Sequence, residues 1–245
     1  MATLTERPLK QKSQYFLVAS CLALVVTLVG FFKTFILPSA RGTFSAPVVI
    51  YVHGGLLFLW TAFLVMQSML IRMKKLYLHR RLGFVSLGLV PCVVISTMAV
   101  GVYVLKRDLA LGGGQVAISS LIGAFTAPLM FAILVAAAIV YRRRPEVHKR
   151  LMLLAMIAII WPAFFRFRHY FPSVAYPEVV FGVILPDCMI LVAMLWEKLT
   201  IGRVHVVYLT VGLALIAENV AEAYLFDSVG WRVLANWLAS FFLYQ

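Results

Sequence analysis

Charge is scarce in this chain, and acid is scarcer than base. Only 13% of the 245 residues are charged, with 9 Asp and Glu against 22 Lys and Arg. With 63% of residues hydrophobic, there is too little polar surface to coat a soluble globule. Cysteine is nearly absent. Cys21, Cys92 and Cys188 fall inside apolar runs at unrelated spacings, which excludes a disulfide framework or a Cys-based metal motif and predicts small buried packing residues. No polar linker or low-complexity segment divides the chain, so residues 1–245 read as one domain. Gly112-Gly113-Gly114 lacks the Lys-Ser/Thr of a phosphate loop and reads as a turn.

Long apolar runs, by contrast, are abundant. A hydrocarbon core of about 30 Å takes about 20 helical residues to cross. Seven runs meet or approach that length: about 15–37, 48–73, 82–105, 115–141, 151–168, 179–198 and 206–225. They lack the dyad alternation of barrel strands. Helices satisfy their own backbone hydrogen bonds in lipid, so the predicted fold is all-α, a polytopic transmembrane helical bundle. Residues 231–245 are short for a span and place Arg232, Asn236 and Ser240 opposite a Trp/Leu/Phe face, which predicts an interfacial amphipathic helix. A lipoprotein-like VASC at 18–21 sits within the first run, which continues well past Cys21 as an uncleaved span does.

The net charge of +13 points to membrane lipid and not to nucleic acid, because the cations alternate with the spans. Arg7, Lys10 and Lys12 precede the first run. Arg72, Lys74, Lys75, Arg80 and Arg81 fill the second junction, Arg142, Arg143, Arg144, Lys149 and Arg150 the fourth, and Lys198 and Arg203 the sixth. These 15 of the 22 Lys and Arg fall on one side under alternating topology. The positive-inside rule makes that side cytoplasmic, with anionic headgroups as partners, and predicts an inner-membrane protein with its N-terminus inside.

Two of those junctions share a signature. His79-Arg80-Arg81-Leu82 is followed by Pro91, and His148-Lys149-Arg150-Leu151 by Pro162, as in a weak repeat of two-helix units. With His53-Gly54, Gln67, the LHRRLG of 78–83, the HKRLM of 148–152 and an arginine at 166 or 168, residues 48–170 resemble uncharacterised bacterial multi-pass membrane proteins catalogued as a domain of unknown function. The resemblance implies topology and a repeated His/Arg pattern, and no activity.

Ionisable groups inside spans are costly, about 2.5–3.5 kcal/mol at the centre, and face partners or wet cavities. His53, Arg166, Arg168, His169, Asp187, Glu218 and Glu222 fall at similar depth in the outer half, and suggest one outward-facing pocket. Three readings follow. In the first the pocket is structural, with Arg166 or Arg168 neutralising Glu222 or Asp187. In the second it binds haem b or a single metal ion, in a small redox protein or a subunit of a respiratory membrane complex. The metal ligands would be His53, His169, Asp187 and Glu222, and the haem ligands His53 with His169, or His79 with His148 at the opposite face. His148 and His169, 21 residues apart, span about 31 Å of continuous helix. The third reading is proton-coupled transport through Asp187 and Glu218, beside Pro186. A retinal site is excluded, since 206–225 contains no lysine.

Overall fold

The computed structural model describes the backbone of residues 6–243 and the side chains of residues 14–243. The side chains of Arg7, Lys10 and Lys12, and all of Tyr244 and Gln245, lie outside the described residues. Within them the chain is helical, with no strand.

Each predicted run forms a helix. α1 (Glu6–Phe31) continues through a π turn, Phe32–Ile36, to Leu37–Ala40. α2 is Val48–Arg72, α3 Leu76–Gly83, α4 Ser86–Ala110, α5 Gly114–Ser119 and α6 Leu121–Val140. α7 (Pro145–Phe165) ends in a 3-10 turn, Arg166–His169. α8 (Leu185–Ile201) is led by a π turn, Val180–Ile184, and α9 (Leu213–Leu225) by another, Tyr208–Gly212. α10 is Val229–Leu243.

Among the described residues, six stretches are long and apolar enough to cross a membrane: Gln14–Ala40, Val48–Arg72, Ser86–Ala110, Gly114–Arg143, Pro145–His169 and Pro177–Ile201. The predicted seventh, found as Tyr208–Leu225, passes that test only together with Val229–Leu243, to which it is bent by 90°. The cause is local. Asp227 takes a left-handed φ of 59°, a region Asp tolerates better than most residues. Its carboxylate accepts hydrogen bonds from Ser119 Oγ at 2.6 Å and Arg232 Nε at 3.0 Å. The Trp231 indole donates to Ser119 O at 2.8 Å, tying α10 to the end of α5.

The third predicted span began at residue 82, but the observed one begins at Ser86. LYLHRRLG instead forms its own two-turn helix, α3, because four of its eight residues are polar or glycine and give it only a narrow apolar face. Apolar on all sides, α7 is the central helix, and Leu154, Ala155 and Ile157 are at most 1% exposed. Its crossing with α1 is backbone-close: a Cβ on Gly30 would lie 2.2 Å from Ala163 O, so only glycine fits there. Trp60 and Phe131 pack edge to face at 4.9 Å in the same core. The cysteines depart from expectation. All three are exposed on outer helix faces, where a thiol meets lipid without needing a partner.

Candidate functional site

The repeated signature folds onto itself. α3 carries His79 and the first turn of α7 carries His148, and their ring centres stand 6.4 Å apart with planes at 80°. His148 Nδ1 lies 2.8 Å from Ala138 O, one of the last-turn carbonyls of α6 that have no helical donor. A carbonyl only accepts, so Nδ1 is the protonated nitrogen and the Nε2 lone pair stays free. The His79 Nδ1 is buried without a hydrogen-bond partner. His148 thus spends one nitrogen on a main-chain carbonyl, and His79 keeps its Nδ1 unengaged. Burial, followed by the neighbouring His148 and Arg80, holds His79 below the usual imidazole range, which keeps it neutral at pH 7. Gln67 adds two more orphans: its side-chain oxygen and nitrogen are both buried and unpartnered.

Close by lies an ion-pair network that sequence reading missed. Arg150, assigned to the headgroup layer, is in fact 2% exposed, and Glu197 is 4% exposed. Arg150 Nε donates to Glu197 Oε1 at 2.7 Å and its Nη2 reaches the same oxygen. Glu146 Oε2 lies 2.9 Å from Arg150 Nη1, and Glu197 Oε2 accepts from His205 N at 2.9 Å. The Tyr208 ring, fully buried, lies 5.8 Å from the guanidinium. One signal was available: Glu146 and Arg150 are spaced i,i+4 on one helical face. Glu197 carried none, because a glutamate beside Lys198 at a span end looks like any interfacial pair.

The outer-half residues form two groups: Arg166 acts electrostatically on both His53 and His169, while Asp187, Glu218 and Glu222 lie together on α8 and α9. His53 Nδ1 lies 3.3 Å from Ser96 Oγ, whose own proton goes to Val93 O at 3.0 Å, so the imidazole is the donor. His169 closes the 3-10 turn, exposed, and no ring contact joins it to His53 among the described residues. Asp187 accepts from Asn219 Nδ2 at 2.6 Å. Glu222 lies against Gly123, where a Cβ would come within 2.8 Å of its Oε1, and its Oε2 is 2.6 Å from Thr126 Oγ1. Glu218 is close enough to Glu222 and Asp187 to sense their charge. The metal set His53, His169, Asp187 and Glu222 is therefore not gathered: among the described residues no three His, Cys, Asp or Glu side chains converge. Among the described residues no ion pair joins Glu222 or Asp187 to Arg166 or Arg168. Arg166 packs on Phe31 and Arg168 on Phe165, and each donates to a main-chain carbonyl.

Fold and site together define a polytopic α-helical membrane protein with a two-histidine junction at its basic end. No protein-family model, curated protein or solved structure matches the chain.

Proposed function

We propose that the protein is a small membrane metalloprotein of the electron-transfer type, in which His79 and His148 would hold one metal centre, a haem iron or a copper ion. The supporting observation is the histidine pair itself. Their ring centres stand 6.4 Å apart, so the two imidazoles could hold one metal ion between them. One nitrogen of His148 is hydrogen-bonded to a main-chain carbonyl, the outer-sphere arrangement that fixes tautomer and orientation in a ligating histidine. Gln67 and the orphaned His79 Nδ1 supply unspent polar capacity beside the pair. Arg80 and Arg81, exposed nearby, suit the propionates of a haem.

The redox reading thus moves from the outer pair to the inner one. With the basic end as the cytoplasmic side, the centre sits near the inner face of a bacterial-type inner membrane, in a lone carrier or a subunit of a respiratory complex. The test is an oxidised and dithionite-reduced visible spectrum of protein in mild detergent, with metal analysis of the same sample. The reading requires a Soret band with reduced α bands, or stoichiometric copper, lost in His79→Ala and in His148→Ala and kept in His169→Ala. Retention in both former variants would sink it.

One observation favours a second reading, proton-coupled transport. Thr126 Oγ1 is 2.9 Å from Ile122 O and 2.6 Å from Glu222 Oε2, yet it has a single proton. Both contacts are full hydrogen bonds only when Glu222 is itself protonated and donates to Thr126. A neutral acid beside Glu218 and Asp187 suits a proton-carrying path. A proton flux in vesicles that is abolished by Glu222→Gln and Glu218→Gln would support it, and an unchanged flux would dismiss it.

A further inference from the structure

Three cations at the end of the bundle away from the histidine pair have no acid to answer them. Lys33 lies in the π turn that follows α1. Arg166 and Arg168 lie in the 3-10 turn that follows α7. Each is held over an aromatic ring: Lys33 Nζ is 4.2 Å from the Tyr170 ring centre, the Arg166 guanidinium 3.9 Å from Phe31, and the Arg168 guanidinium 3.8 Å from Phe165. Their hydrogen bonds go only to main-chain carbonyls: Lys33 to His169 O at 3.2 Å, Arg166 to Pro162 O at 2.9 Å and Arg168 to Phe165 O at 3.4 Å. None of the three is in an ion pair among the described residues. They share one locality, because all three act electrostatically on the His169 ring. Tyr170 Oη donates to Val29 O at 2.7 Å and pins that turn against α1.

Such a cluster is expensive on its own terms. A guanidinium carries five N–H donors, and each arginine here uses one on the protein. A ring beneath a cation contributes about 0.5–2 kcal/mol, which does not replace a counterion against the mutual repulsion of three like charges. The rings cover the faces of the guanidinium groups and leave their edges, where the donors are, to something else. An edge of paired N–H groups matches the oxygens of a phosphate, which it binds in bidentate fashion.

We propose that Lys33, Arg166 and Arg168 form a binding site for a phosphate-bearing anion at the membrane–water boundary, built by the π turn after α1 and the 3-10 turn after α7. The phosphate comes either from an anionic lipid headgroup or from solution. The site is independent of the histidine pair, which lies at the other end of α7.

The experiment uses the full chain in lipid nanodiscs of phosphatidylcholine alone or with added phosphatidylglycerol. Retained phosphatidylglycerol is counted by native mass spectrometry, and inorganic phosphate binding is measured by equilibrium dialysis in the phosphatidylcholine discs. The variants are the triple Lys33→Gln/Arg166→Gln/Arg168→Gln and the single Arg168→Gln, in case the triple does not fold. Arg142→Gln/Arg143→Gln, at the opposite end, is the control. A lipid site appears as phosphatidylglycerol retained by wild type and control and lost in the triple variant. A soluble-anion site appears as phosphate binding that weakens about tenfold or more for each arginine removed. Equal phosphatidylglycerol retention and equal phosphate affinity in wild type and folded variants would overturn the proposal.

Discussion

Arg150 shows how far a single side chain can depart from the meaning of its neighbours in sequence. It stands in a run of cations, Arg142 to Lys149, most of which face outward, yet it is almost fully buried against Glu197. A guanidinium has no neutral form to retreat to at ordinary pH, so its burial depends on the carboxylate. Removing one partner of such a pair costs about 3–5 kcal/mol, whereas replacing both with apolar residues of similar volume is often neutral or stabilising. Arg150→Met alone and Glu197→Leu alone should therefore each lower the melting temperature in detergent sharply, and the double variant should recover most of the loss. A double variant as unstable as the sum of the singles would show that the two residues do not act as a pair.

Among the elements, α7 decides most of the architecture. From Leu151 onward it is apolar on every face, and the structure buries it at the centre of the bundle. The first six predicted runs recur as spans, since lipid leaves a helix few alternatives, though their ends differ from the predicted ones by up to several residues. What sequence reading missed were the breaks. The π turns at Phe32–Ile36 and Val180–Ile184 each lie two residues before a proline, Pro38 and Pro186, which cannot donate to the helix before it, and the third, Tyr208–Gly212, ends on a glycine. The approach of His79 to His148 was hidden for another reason: a repeat announces similar units and says nothing of whether their signatures meet. The α1–α7 crossing gives a prediction at this scale. Gly30→Val must push α1 off the Ala163 carbonyl, at a cost of about 1–3 kcal/mol or more. The variant should melt markedly lower in detergent, whereas Gly55→Val, with open space around the Cβ, should melt near wild type.

At the scale of the molecule, charge asymmetry is the property that sequence shows best and coordinates by themselves do not orient. Arg72, Arg80, Arg81, Arg142, Arg143, Arg144, Lys198 and Arg203 lie at one end of alternating helices. If that end is cytoplasmic, a cysteine introduced at Arg143 should resist a membrane-impermeant maleimide in intact cells, and one introduced at Ser173, in the loop at the other end, should react. The reverse pattern would invert the assignment. The outer-half carboxylates were read from the sequence as one pocket with the arginines. Depth along a helix was legible there and facing was not, and the structure divides them into an acid side on α8 and α9 and a cation side at the end of α7. The buried pair, finally, has a consequence in time. Arg150 precedes Glu197 by 47 residues, and at about 5–20 residues per second of synthesis it emerges several seconds before its partner. During that interval Glu146, one turn earlier on the same helix, is the acid within reach of the arginine, and the pair with Glu197 closes only after α8 has been made.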